Sequence, residues 1–185
     1  YNVKRVMNIT DVGHMVSDND DGEDKMAIGA KREGKTVMEL ADFYTKAFFE
    51  DTDKLNIKKP EIVEKASDHI NKYIEIIKTL EEKGYAYISN GNVYFDISKI
   101  PNYYELSGKK ESELIVGARE DVDLDNSKRN PFDFGLWFTN SKFENHILSW
   151  DSPWGKGYPG WHIECSGISL EYLGDKIDIH CGGVD

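Results

Sequence analysis

The stretch SDHINKYIEIIKTLEEKGYAYISNGNVYFD, residues 67–96, changes its hydrophobic period partway along, and that change decides the fold class. Ile70, Tyr73, Ile74, Ile77 and Leu80 recur every three or four positions, as one stripe of an α-helix requires. Gly84 ends the stripe, in the position where helices commonly stop. Tyr85 to Ser89 and Val93 to Asp96 then alternate and are rich in aromatics. Between them stands Asn90-Gly91, the pair that most readily takes two successive positive φ angles. The sequence therefore predicts a long helix opened near Ser67 and followed at once by a β-hairpin.

Working outward toward the N-terminus, Pro60 interrupts an earlier helix. Thr36 followed three residues later by Glu39 opens that helix as a capping box, and Leu40, Tyr44, Phe48 and Leu55 mark its apolar face. A shorter helix is expected around Asp24 to Arg32, after an acidic loop from Ser17 to Glu23. Tyr1 to Thr10 alternates, so Val3, Val6 and Ile9 read as a strand ending at Thr10-Asp11. Toward the C-terminus, Pro101 to Pro131 mixes turns with a short helix near Glu111 to Ala118, and Phe134 to Phe138 reads as a strand. Trp150 to Pro159 reads as an ordered loop. Trp161, Cys165, Ile168 and Tyr172 then share a helical face that Gly174 stops, and Ile177 to His180 is expected to be a short buried strand. Strands and helices at both ends with a hairpin lobe between them argue for an α/β fold carrying an insertion.

At 185 residues the chain can bury one core of ordinary size. Its 34 acidic against 23 basic residues give a net charge of −11, which disfavours nonspecific binding to phosphate backbones. Two cysteines, Cys165 and Cys181, are too few for a disulfide framework and suit a reduced intracellular setting. No apolar run approaches the ~20 residues of a membrane span, so no membrane partner is expected. The start at Tyr1-Asn2-Val3, without Met, reads as a piece of something longer.

Three constellations could carry chemistry. In Pro159-Gly160-Trp161-His162-Ile163-Glu164-Cys165-Ser166, Trp161 and Cys165 lie one helical turn apart, so a thiolate beside an indole could bind a metal and hold a small side chain. The same spacing also describes a plain core helix. In Ile179-His180-Cys181-Gly182-Gly183-Val184-Asp185, paired glycines would let a nucleotide lie against the backbone and a carboxylate could accept from ribose hydroxyls; an ordinary turn uses the same residues. Asn8-Ile9-Thr10-Asp11 ends a strand, where α/β folds place ligands, and it equally suits a cap. The spacing of His162, Cys165, His180 and Cys181 does not form a closed structural zinc motif. His14, His69 and His146 have polar neighbours and are expected at the surface.

Taken in order, these segments resemble the cysteinyl-tRNA synthetases. The matching pieces are Asn8-Ile9-Thr10-Asp11, Gly117-Ala118-Arg119, Lys128-Arg129-Asn130-Pro131-Phe132-Asp133-Phe134, Leu136-Trp137, Trp150-Asp151-Ser152-Pro153-Trp154-Gly155, Pro159 to Ser166 and His180 to Asp185. The run from Trp150 to Ser166 is very specific, shared otherwise with the close relatives that ligate cysteine to an amino sugar. Cys181 and Val12-Gly13-His14 depart from the commoner pattern and suggest a subfamily variant.

The resemblance implies a class I synthetase with a Rossmann-type parallel sheet, interrupted by a connective insertion that contains the hairpin. Residues 1–84 would form the first part of the catalytic domain, 85–149 the insertion, and 150–185 the return. It implies ATP-dependent activation of cysteine, with Mg2+ accompanying the ATP, and transfer to tRNA(Cys) by a cytoplasmic enzyme. Zn2+ would be held by two cysteines, a histidine and a glutamate, of which Cys165 alone matches within this chain. Thr10 and Trp161 match the residues that hold the cysteine substrate. Gly183 and Asp185, with Gly182 beside them, match the ATP-ribose contacts. No HIGH or KMSKS signature occurs in the chain, so no catalytic residue is assigned here, and the chain taken alone is expected to be inactive. The other readings are a cysteine ligase acting on an amino sugar and a noncatalytic zinc-binding module.

Overall fold

The computed structural model describes residues 1–12, 25–106, 108, 127–139 and 148–182. The expected helix near Glu111 to Ala118 and the loop from Ser17 to Glu23 lie outside them.

Strand β1 (Val6–Ile9) pairs in parallel with β2 (Ile62–Lys65), Val6 opposite Ile62 and Ile9 opposite Lys65. A parallel pair needs a long crossover, and helices α1 (Lys25–Glu33) and α2 (Val37–Lys54) lie within it. The capping box is present: Glu39 N–H donates to Thr36 Oγ1 at 3.2 Å, and Thr36 N–H donates to Glu39 Oε2 at 2.8 Å. Only the first turns of α2 are buried, through Val37, Leu40 and Ala41. Tyr44, Phe48 and Leu55 are exposed, so the apolar face expected of this helix continues beyond the part that packs. Strand β2 was not anticipated from the sequence. Its four residues are too few to show a period, and its partner lies more than fifty positions away.

A 3₁₀ turn at Ala66–His69 leads from β2 into α3 (Ile70–Glu82). The hairpin follows as β3 (Ala86–Ser89) and β4 (Asn92–Phe95), with Tyr87 opposite Tyr94. Asn90 and Gly91 take φ of 49° and 84°, the paired left-handed conformations that the turn requires. Strands β5 (Phe134–Phe138) and β6 (Tyr158–Pro159) extend it into an antiparallel sheet of order β3-β4-β5-β6. The sheet thus takes strands from both sides of position 149. Pro159 lies on the outermost strand, where its missing N–H costs no ladder bond. The segment before it, expected to be an ordered loop, contains a bridge between Trp150 and Gly157.

Asp133, 1% exposed, organises this lobe. Its carboxylate accepts from the Tyr87 hydroxyl at 2.7 Å, from Ile97 N–H at 3.0 Å and from Asn130 N–H at 3.1 Å. A buried carboxylate is tolerated because each of these donors replaces water. Arg129 lies over the Tyr87 ring at 4.1 Å.

Helix α4 (Trp161–Leu173) closes the core. Tyr73 and Ile77 of α3, Leu136 and Trp137 of β5, and Ile163 and Ile168 of α4 are all buried together. Gly167 permits the approach of α3 and α4, since a Cβ there would lie 2.5 Å from the Tyr73 ring. Gly174, at φ 81°, ends α4 as expected.

The segment after α4 is a correction. Residues 177–180 are not a strand, and Ile177 and Ile179 are 43% and 80% exposed. Alternation supplies a face, but strand backbone groups also need a neighbouring ladder, and among the described residues none pairs with this stretch. His69 is a second correction: far from lying on the surface, it is buried.

Candidate active site

The C-terminal end of β1 and the N-terminal half of α4 meet, and there two of the three constellations that suggested chemistry come together, Asn8 and Thr10 with Cys165. Cys165 is half-buried, and its thiol points to Asn8 Oδ1 at 4.0 Å. Asn8 Nδ2 in turn donates to Thr10 Oγ1 at 3.3 Å, with Thr10 exposed. Cysteine, asparagine and threonine therefore form a short polar chain from the helix face to the strand end.

Asp11 holds that strand end in place. It is fully buried and accepts from Ser67 N–H at 2.9 Å and from Ser67 Oγ at 2.5 Å. These bonds tie the end of β1 to the 3₁₀ turn that starts α3, so the backbone presenting Thr10 is braced from behind. On α4, Trp161 lies one turn before Cys165 and is half-buried. It meets the edge of His162, 5.8 Å between ring centres, while His162 packs on Phe134 at 4.7 Å. The same turn is seated on β5 by Gly160, whose N–H donates to Leu136 O at 3.0 Å.

Burial pushes the Cys165 thiol above its ordinary pKa, and the buried Glu164 beside it adds to the shift. The folded chain thus keeps the neutral thiol at neutral pH. The sign for stability follows: this group costs nothing below the unfolded thiol value, and stability is lost as the pH climbs from there through the higher folded value. In the metal-free protein, iodoacetamide should therefore modify exposed Cys181 several-fold faster than Cys165, as followed by mass spectrometry of the two peptides. Equal rates would contradict the burial and charge assigned to Cys165.

The expected nucleotide segment is only partly described. Gly182 is exposed, and a Cβ added to it would lie 3.2 Å from His180 Nε2. Gly183 and Asp185 lie outside the described residues. Among the described residues no cluster of three or more His, Cys, Asp or Glu side chains could hold a metal ion. Sequence reasoning did not single out the bracing by Asp11 and Ser67. Their partnership spans 56 positions, and no local pattern announces it.

Comparison with known proteins bears on these residues. The family model for the tRNA synthetases class I (C) catalytic domain matches residues 1–185. The cysteine–tRNA ligase of Treponema denticola is 59% identical over the whole chain, which covers 37% of that protein. Those of Borrelia garinii subsp. bavariensis and Chlorobium luteolum are 54% and 48% identical, again over the whole chain and 38% of each relative. The chain thus spans a little over a third of the length of the curated relatives it matches.

Proposed function

The chain belongs to the class I (C) tRNA synthetase catalytic domain family, and from that membership we propose that it carries the amino-acid-recognising part of a cysteine–tRNA ligase. The observation that supports this most is the Cys165 thiol facing Asn8 and Thr10 at the end of β1, with Trp161 one turn away on the same helix.

In the reaction proposed, the carboxylate of cysteine attacks the α-phosphorus of ATP and pyrophosphate leaves. A hydroxyl at the 3′ end of tRNA(Cys) then attacks the adenylate carbonyl and AMP leaves. No protein nucleophile is needed, so the contribution of these residues is positioning. Thr10, held by Asn8, would fix the polar end of the amino acid, and Trp161 would pack on its side chain. Gly182, Gly183 and Asp185 would receive the ATP ribose, with Mg2+ arriving on the triphosphate.

Cys165 suits zinc in donor chemistry, being a soft, half-buried sulfur beside Asn8. It would supply one ligand, with the remainder coming from other parts of a longer protein. Bound zinc would take the substrate sulfur as a thiolate in preference to a serine hydroxyl. Burial opposes loss of the Cys165 proton in the free protein, so metal binding would release that proton.

We further propose that residues 85–149 form an insertion between two parts of the catalytic domain, with β6 of the returning segment completing its sheet. Given the net charge of −11, the basic surface that would meet tRNA is proposed to lie in other parts of a longer protein. Among the described residues no helix is long and apolar enough to cross a membrane, and a cytoplasmic location is proposed on the family reading.

The test is amino-acid-dependent ATP–pyrophosphate exchange by the full-length protein. Cysteine should support exchange without tRNA, and purified tRNA(Cys) should then accept the cysteinyl group. Absence of cysteine-dependent exchange would overturn the proposal, whereas exchange followed by transfer only to an amino sugar would reassign the acceptor.

A further inference from the structure

His69 is 8% exposed, and both of its ring nitrogens face carboxylates. Nδ1 lies 3.0 Å from Glu171 Oε2, and Nε2 lies 3.3 Å from Glu64 Oε2. Each ring nitrogen has its own carboxylate partner, so the arrangement engages both polar atoms of the ring. The three residues come from three places: Glu64 from β2, His69 from the 3₁₀ turn, and Glu171 from the last turns of α4. Tyr172, next along α4, presents its ring edge-on to His69 at 5.8 Å and shares a hydrogen bond with Glu64.

This cluster lies beside the candidate site, Glu64 standing opposite Asn8 in the β1–β2 ladder, and it fixes the helix that carries half of that site. Glu171 is six residues beyond Cys165 on one continuous helix, about 9 Å along the axis at 1.5 Å per residue. Gly167 against Tyr73 sets how near α4 can come to α3, but a smooth contact of this kind resists sliding and rotation poorly. Two directed hydrogen bonds to one ring resist both. The 3₁₀ turn holding His69 also contains Ser67, which braces Asp11 behind Thr10. One short turn therefore grips both elements of the candidate site: β1 through Ser67 and α4 through His69.

We propose that His69 is a positioning residue, clamping Glu171 of α4 to Glu64 of β2 so that Cys165 and Trp161 keep their register with Thr10. The clamp works on the amino-acid side of the site, and this inference rests on the reading of the chain as part of a cysteine–tRNA ligase. Misplacing binding groups by a fraction of an ångström to about 1 Å is enough to cost one to two orders of magnitude in such sites.

The experiment uses the full-length protein and the pyrophosphate-exchange assay, with thermal melting of each variant alongside. In His69→Gln one ring nitrogen is replaced by an amide NH2 and the other by an acceptor oxygen that cannot donate to the second carboxylate, and KM for cysteine is expected to rise about tenfold while KM for ATP stays within about twofold. Glu171→Gln, at a side chain 41% exposed and so tolerated by the fold, should reproduce the same split. The double variant should be no worse than either single one, because both break one clamp. Wild-type KM for cysteine in both variants, even with lowered melting temperatures, would overturn the positioning role and leave a purely structural one. A parallel rise in both KM values would overturn it as well, since it would report general loosening. If the wild-type protein itself shows no cysteine-dependent exchange, the functional reading fails, and this inference with it.

Discussion

Cys165→Ser is expected to leave the full-length protein folded while lowering its bound zinc well below one per chain and cutting cysteine activation by about 100-fold or more. The substitution nearly conserves volume, and a serine hydroxyl can still donate toward Asn8 Oδ1, so the packing of α4 on β1 has little reason to change. What changes is the donor. Serine oxygen is a poor ligand for zinc at neutral pH, whereas cysteine binds as thiolate. Zinc content by inductively coupled plasma mass spectrometry and exchange kinetics read the two consequences separately. Unchanged zinc together with unchanged cysteine activation would remove Cys165 from the site.

The second large effect is structural and comes from Gly160. A Cβ there would lie 2.1 Å from Gly135 O and 2.9 Å from Gly135 C, atoms of the β5 backbone that cannot rotate away as a side chain could. Gly160→Ala must therefore push the first turn of α4 off β5, weakening the bond from Gly160 N–H to Leu136 O and shifting Trp161, the next residue. Overpacking of this kind typically costs about 1–3 kcal/mol, and a backbone clash belongs at or above the upper end of that range. The expected result is a clear fall in melting temperature accompanied by a raised KM for cysteine. A variant with wild-type melting behaviour would show that β5 and α4 are less closely seated than described. Alanine at Gly34 offers a contrast: a Cβ there meets nothing within 4 Å, so its cost is confined to the left-handed backbone at φ 64°.

These two residues lie in the part of the fold that sequence reasoning could reach. The run from Gly160 to Tyr172 marks a helix and its end, because periodicity, a glycine start and a glycine stop agree, but the face that packs is Ile163, Glu164, Gly167 and Ile168, while Trp161, Cys165 and Tyr172 are only half-buried. The hairpin was equally legible, since Asn90-Gly91 specifies its turn chemically. The capping box at Thr36 and Glu39 is a local pair whose two bonds form within one turn. Long-range partnerships were not legible. Ile62 to Lys65 becomes a strand only because β1 lies alongside it, and Ile177 to His180, with a better strand pattern, finds no ladder among the described residues. His69 has polar sequence neighbours and looked like a surface residue. Its burial depends on Glu171, 102 positions away, and no local pattern could reveal that. The candidate site was half legible for the same reason: Asn8 to Asp11, Trp161 and Cys165 stand out by type and spacing, whereas the bonds by which Asn8 holds Thr10 and Ser67 braces Asp11 emerge only once the strand and helix are in place.

Sulfur recognition at the junction of β1 and α4 would set the choice of amino acid. It is tested most directly by the ratio of kcat/KM for cysteine over serine in pyrophosphate exchange by the full-length wild-type protein. Shape alone separates two side chains of such similar size by only about 10–200-fold, whereas a site that uses the distinctive chemistry of its substrate reaches about 10⁴-fold or more. A ratio of that larger order is expected. Serine activated within about tenfold of cysteine would contradict the central claim.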